Sequence, residues 1–138
     1  MTLLQTHGIN TFYGESHILR EIDLSVKHGE MVCLIGRNGV GKTTFLKSLI
    51  GLLQPRSGEL LLEGKSINRK RPHQRAQAGI GYVPQGREII PYLTVEENLL
   101  LGMEALEGGL SQKKSIDSFV FELFPVLENF LVRKGGDL

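Results

Sequence analysis

The chain has 138 residues, 41% hydrophobic and 22% charged, with a formal net charge of +1. These are the proportions of an ordinary globular domain; they exclude a disordered chain, and at a usual size of about 150 residues per domain they leave room for one core. Near-neutral charge gives no overall field for nucleic acid or an anionic membrane, and no stretch reaches the roughly 18 apolar residues of a membrane span.

In chain order, the first clear pattern runs from Ile18 to Lys27. Ile22, Leu24 and Val26 alternate there with Glu21, Asp23, Ser25 and Lys27, which predicts a strand with one wet face. After the His28-Gly29 turn, Met31 to Ile35 is apolar on both faces. That run predicts a central parallel strand covered by helices, with Cys33 as a buried, inert thiol. A glycine-rich loop follows, and then Phe45, Leu46, Leu49, Ile50 and Leu53 recur at helical spacing until Gln54-Pro55.

Ser57-Gly58 predicts a turn, Glu59 to Glu63 a short strand and Gly64-Lys65 a second turn. Ile80-Gly81-Tyr82-Val83 predicts a further strand closed by Pro84. Thr94-Val95-Glu96-Glu97 has the spacing in which threonine and glutamate cap each other's backbone amides, so a helix is expected from there to about Ala105. Ile116, Phe119, Val120 and Leu123 predict another helix, which Pro125 ends while opening the next. Glu107-Gly108-Gly109 is the expected flexible joint, and 133–138 reads as loop. Residues 1–90 therefore look mixed and 91–138 helical.

The chemistry concentrates in Gly36-Arg37-Asn38-Gly39-Val40-Gly41-Lys42-Thr43, which matches G-x-x-x-x-G-K-[ST] between an apolar strand pattern and an amphipathic helix pattern. Glycines let backbone amides turn inward without a clashing side chain, and those amides form an anion cradle at a helix N-terminus. Lys42 supplies a point charge for the outer phosphates, the Thr43 hydroxyl completes the shell of a Mg²⁺ ion, and Thr44 adds a donor in the first helical turn. The four histidines show no spacing that sets two metal ligands on one face.

Three kinds of phosphate-loop protein compete. None of the three aspartates, Asp23, Asp117 and Asp137, lies in an N-K-x-D or D-x-x-G motif, which argues against a GTPase. A small-molecule kinase would need an acceptor site and an arginine-bearing lid, and no segment clearly offers either. An ATPase module that drives a partner remains in front.

At this point the chain resembles the ATP-binding subunits of ABC transporters over almost its whole length. Tyr13, 29 residues ahead of Lys42, occupies the place of the aromatic residue that stacks on adenine in that family, and Gly14 to Leu19 resembles its first hairpin. Tyr82-Val83-Pro84-Gln85 resembles the family's glutamine loop. The resemblance implies that Gln85 senses Mg²⁺ and the attacking water, and that its loop couples the site to the transporter subunit. A neutral amide suits this task, since it accepts from a metal shell or a water without adding charge.

Pro84 to Pro91 and Leu93 to Leu99 resemble the importer subgroup for branched-chain amino acids and urea. Gly36 to Thr44 and Arg133 to Leu138 resemble its urea-type member. The family implies an α/β phosphate-loop NTPase fold with an N-terminal antiparallel β part, a central parallel sheet and a helical subdomain. It implies ATP and Mg²⁺ as ligands, transmembrane permease subunits and a second ATP-binding subunit as partners, and a solute-binding protein as an indirect one. It also implies a cytoplasmic position, peripheral on the inner face of the cell membrane. A nucleotide-binding module of the same fold outside transport, or a small-molecule kinase, is the alternative.

The basic run Arg69-Lys70-Arg71-Pro72-His73-Gln74-Arg75 lacks interleaved aromatics and reads as a solvated face, with no nucleic acid expected. A hydrolytic site also needs an apolar strand ending in Asp, usually followed by Glu, and the sequence has none. Glu63 mimics it only at the end of a strand bounded by turns. The family's signature loop, Leu-Ser-Gly-Gly-Gln, would begin at Leu138, so the resemblance implies an N-terminal fragment that binds ATP without turning it over.

Overall fold

A computed structural model describes residues 1–86, 88–105 and 115–138. The Glu107-Gly108-Gly109 joint lies outside them. They divide into two compact units, Met1–Ile80 and Gly81–Leu138.

The first unit is built on a four-stranded antiparallel sheet. Its strands are β1 (Thr2–Tyr13), β2 (Ser16–Lys27), β3 (Ser57–Leu62) and β4 (Lys65–Ser66), in the order β2-β1-β3-β4. The alternation read between Ile18 and Lys27 becomes β2. Its central neighbour β1 escaped the sequence reading because the residues it buries include Thr6 and Thr11 beside Ile9, so no apolar alternation marks it. Both threonines are satisfied, Thr6 Oγ1 donating to the Ile22 carbonyl at 3.1 Å and Thr11 Oγ1 lying 3.1 Å from Ser48 Oγ.

Helix α1 (Lys42–Ile50) turns Thr44, Phe45, Ser48 and Leu49 inward. Phe45 and Leu49 join Ile9, Leu19, Leu60 and Ile67 in the core. The Ser48 hydroxyl also donates to the Thr44 carbonyl at 2.9 Å, so the Thr11–Ser48 contact ties the helix to the central strand by buried polar groups as well as by apolar packing.

The short helix α2 (Pro72–Gln77) opens with proline at its first position and carries Arg75, which is fully buried. Its guanidinium donates to the carbonyls of Lys70, Ser48, Leu49 and Asn68 at 2.7–3.2 Å. The basic run is therefore not uniformly a solvated face. Arg69, Lys70 and Arg71 are exposed, whereas Arg75 closes the C-terminal end of α1, where the last carbonyls of a helix lack intrahelical partners. Burial pushes its pKa down from the usual arginine value, and the four carbonyls offset that cost. Gly51 leaves the helix in the left-handed conformation at φ 83°. A Cβ there would meet Arg75 Nε at 3.0 Å, so glycine serves both the turn and the arginine.

Two predicted strands do not form. Met31–Ile35 and Ile80–Val83 belong to no β-ladder, and the described residues contain no parallel strand pair. A parallel strand needs hydrogen-bonded neighbours and cover on both faces, and none of the described residues supplies them to either segment. Met31, Ile35 and Val83 are in consequence exposed, and Cys33 is an exposed thiol rather than a buried one.

In the second unit α3 (Val95–Leu101) starts at the predicted cap, with Glu97 N donating to Thr94 Oγ1 at 3.1 Å and Thr94 N to Glu97 Oε2 at 2.8 Å. A 3₁₀ turn, Gly102–Ala105, continues it. Helix α4 (Ser118–Leu123) is capped by Asp117, and Pro125 opens a 3₁₀ turn to Phe130, as its sequence position predicts. Residues Gly135–Asp137 close the chain in a 3₁₀ turn, after a bridge between Lys134 and Thr94.

Candidate functional site

The loop from Gly36 to Gly41 leads directly into α1. Gly41 caps that helix at φ 104°, a left-handed conformation that glycine adopts without strain. A Cβ at Gly41 would lie 2.9 Å from Leu19 Cδ2 and 3.2 Å from Ile18 Cγ2, so the helix start is pressed against β2. At the other end of the loop, a Cβ on Gly36 would come within 3.0 Å of Val40 Cγ2. The two outer glycines of the motif therefore let the loop fold back on itself and let the helix approach the sheet.

Lys42 is the first residue of α1, and its ammonium reaches back across the loop to donate to the Gly36 and Arg37 carbonyls, both at 2.6 Å. An ammonium has three donors, so one remains for a ligand. The first helical bond runs from Phe45 N to the Gly41 carbonyl at 2.8 Å. The amides of Lys42, Thr43 and Thr44 precede that bond in the first helical turn, where N–H groups have no intrahelical partner. The first turn of α1 carries no acidic residue either, so the positive end of the helix dipole is not neutralised from within the chain. The first-turn amides, an uncompensated helix start and one ammonium form a site for a multiply charged anion.

Arg37, Asn38, Gly39, Val40 and Thr43 are exposed along this loop and first turn. Thr43 is the second residue of α1 and brings a hydroxyl, a hard oxygen ligand, to that first turn. Thr44 is nearly buried, on the inward face of α1 with Phe45. By their chemistry the first-turn amides and Lys42 would hold an ATP tail, and the Thr43 hydroxyl would hold its Mg²⁺. Glu63, by contrast, sits exposed at the β3–β4 turn with φ 50°, its Oε1 3.8 Å from His28 Nε2.

Tyr13 ends β1, half exposed, in register with Ser16 across the Gly14-Glu15 turn. Ile18 and Leu19, which receive Gly41, follow on the same hairpin, so Tyr13 and the phosphate loop are borne by elements in direct contact. The hairpin is braced by a stack that the sequence reading missed. Phe12 and His17, a cross-strand pair, lie ring on ring at 4.1 Å and 9°. Arg56 Cζ lies over the Phe12 ring at 3.9 Å. Gln85 belongs to the second unit, exposed in a bend.

Residues 19–131 match the family described as ABC transporter. The chain belongs to the ABC transporter family. It is 38% identical over 136 residues to a probable branched-chain amino acid transport ATP-binding protein, LivF, of Archaeoglobus fulgidus, covering 99% of this chain and 57% of that one. It is 40% identical over 114 residues to the ribose import ATP-binding protein RbsA of Yersinia pestis, covering 83% of this chain and 22% of that one. Among solved structures, the ADP conformation of the ATP-binding cassette MJ1267 superposes with a TM-score of 0.73 at 29% identity, over 100% of this chain and 59% of that chain. The chain thus spans little more than half the length of LivF, and it shares the phosphate-loop fold of ABC ATP-binding cassettes. No helix among the described residues is long and apolar enough to cross a membrane.

Proposed function

We propose that this chain is the nucleotide-gripping part of an ABC importer's ATP-binding subunit. The observation that carries this reading is the loop: it leads into a helix start with no acidic residue in its first turn, beside an ammonium held over the loop's own carbonyls. In it the amides of Asn38 to Thr44 and Lys42 hold the phosphates, with Gly36, Arg37, Gly39, Val40 and Gly41 shaping the cradle. Tyr13 stacks on the base. Thr43 is the residue whose hydroxyl would hold Mg²⁺, and Gln85 is assigned the sensing of the metal and the attacking water. The bound Mg²⁺ would neutralise charge on the outer phosphates.

The sequence contains no apolar run ending in Asp to activate water, so binding without turnover is the activity we assign to these 138 residues. In the whole subunit, ATP binding and hydrolysis would be coupled to permease subunits and to a second ATP-binding subunit at the inner face of the membrane. The LivF match supports a branched-chain amino acid as the solute, and the motif sequences at 36–44 and 133–138 support urea. The ribose importer among the relatives shows that similar sequences serve other solutes, so the solute is chosen elsewhere.

Titration calorimetry with Mg-ATP tests the reading. The chain should bind, and Lys42→Ala should weaken binding by about tenfold to a hundredfold, since a hydrogen bond to a charged group contributes about 1.5–3 kcal/mol. Equal affinity of both chains for ATP would remove Lys42 from the site.

A further inference from the structure

We propose that Arg56 is a positioning residue for the base-stacking tyrosine: it clasps the tip of the β1–β2 hairpin and so sets the affinity for the base end of the nucleotide, leaving the phosphate end untouched. This rests on the reading of Tyr13 as the surface on which the base stacks.

Three adjacent strands converge at this point. Phe12 is on the central strand β1, His17 is opposite it on β2, and Arg56 immediately precedes β3 on the other side. The Phe12 ring has His17 stacked at 4.1 Å and the guanidinium at 3.9 Å. Two groups that close to one centroid cannot share a face, so the ring is held from both sides. Arg56 Nη2 also donates to the Gly14 carbonyl at 3.0 Å, the residue directly after Tyr13, which fixes the turn from the base of the hairpin to its tip. Two further bonds register the clasp: the Arg56 amide donates to the Asn10 carbonyl at 2.8 Å, and Asn10 Oδ1 lies 2.9 Å from His17 Nε2. Successive residues of a strand face opposite ways, so gripping Phe12 from one face orients Tyr13 toward the other.

Without Arg56, the two-residue turn after the half-exposed Tyr13 would lose the bond to its Gly14 carbonyl and one side of the grip on Phe12. Its ordering would then have to accompany binding, which lowers affinity. A planar guanidinium can stack on the ring and reach the Gly14 carbonyl together, while a lysine ammonium cannot do both. Arg56 is exposed and lies outside the apolar core, so its removal leaves that core intact.

The test is calorimetric titration of the 138-residue chain and its variants with two probes, Mg-ATP and Mg-tripolyphosphate, the second lacking a base. Tyr13→Ala should weaken ATP by about tenfold and leave tripolyphosphate unchanged. Arg56→Ala should weaken ATP by about three- to tenfold with tripolyphosphate within about twofold, and Arg56→Lys should fail to restore it. The double variant Tyr13→Ala/Arg56→Ala should bind ATP no more weakly than Tyr13→Ala alone. Phe12→Leu, which keeps the apolar bulk and removes the ring, should reproduce Arg56→Ala.

Unchanged ATP affinity in Arg56→Ala, an equal loss for both probes, or losses that add in the double variant would each overturn the proposal while leaving the nucleotide site standing. A parent chain that binds neither probe would overturn the nucleotide reading itself, and this inference with it.

Discussion

The two compact units are held together by different physics. Met1–Ile80 has an apolar core on a sheet, with Ile9, Leu60 and Ile67 almost wholly removed from water. In Gly81–Leu138 only Val95 and Gly135 are buried among the described residues, and a side-chain amide does much of the work. Asn98 Nδ2 donates to the carbonyls of Ile90, Leu93 and Thr94 at 2.9–3.3 Å, and its Oδ1 accepts from Ile90 N at 2.9 Å. Asn98 thus stands in for a neighbouring strand along the loop that precedes α3. The difference teaches that the phosphate loop is mounted on the unit with an apolar core, its helix start pressed against β2 and its helix packed into that core.

The contrast can be broken in order of expected effect. Ile9→Ala or Leu60→Ala should cost about 2–5 kcal/mol in denaturant unfolding followed by a β-sheet signal, since both side chains are fully buried. A cost below about 1 kcal/mol would show that the core does not hold the first unit. Arg75→Met removes a charge but takes the guanidinium donor from the Leu49 carbonyl and leaves the Ser48 carbonyl with the Gly51 amide at 3.3 Å, for an expected loss of about 1–3 kcal/mol. A more stable variant would mean that desolvation of the guanidinium outweighs its hydrogen bonds.

In the second unit, Asn98→Ala should speed amide exchange at Ile90 by about tenfold or more while exchange in β1 stays unchanged, because the lost bond is local. Protection at Ile90 that survives the change would rule out the amide clamp. Thr94→Ala should be the mildest, about 1 kcal/mol on α3, read as faster exchange at Glu97, whose amide the threonine oxygen accepts.

Local chemistry was legible in the sequence wherever it depends on a few neighbouring residues. The phosphate loop, the Thr94–Glu97 cap, the strand at β2 and the proline before the 3₁₀ turn all announce themselves by spacing. What stayed hidden depends on residues far apart in the chain. Strand β1 hides because threonine is polar on paper and buried in fact, satisfied by Ile22 and Ser48. Arg75 looks like one more surface cation until the carbonyls at the end of α1 and before α2 surround it. Met31–Ile35 shows the opposite error, since an apolar run specifies a strand only where neighbours exist to pair with it, and so Cys33 is exposed. The Phe12–Arg56 stack needed the β1–β3 register, which sequence spacing does not give.

The central claim is that backbone amides at the start of α1 hold a nucleotide's phosphates. Amide exchange measured residue by residue over Asn38 to Thr44, with and without Mg-ATP, tests it most directly. These amides should exchange rapidly in the free chain and slow together on addition of nucleotide, while β3 and β4 remain as they were. Exchange that stays fast at every one of these seven positions under saturating Mg-ATP would contradict the account.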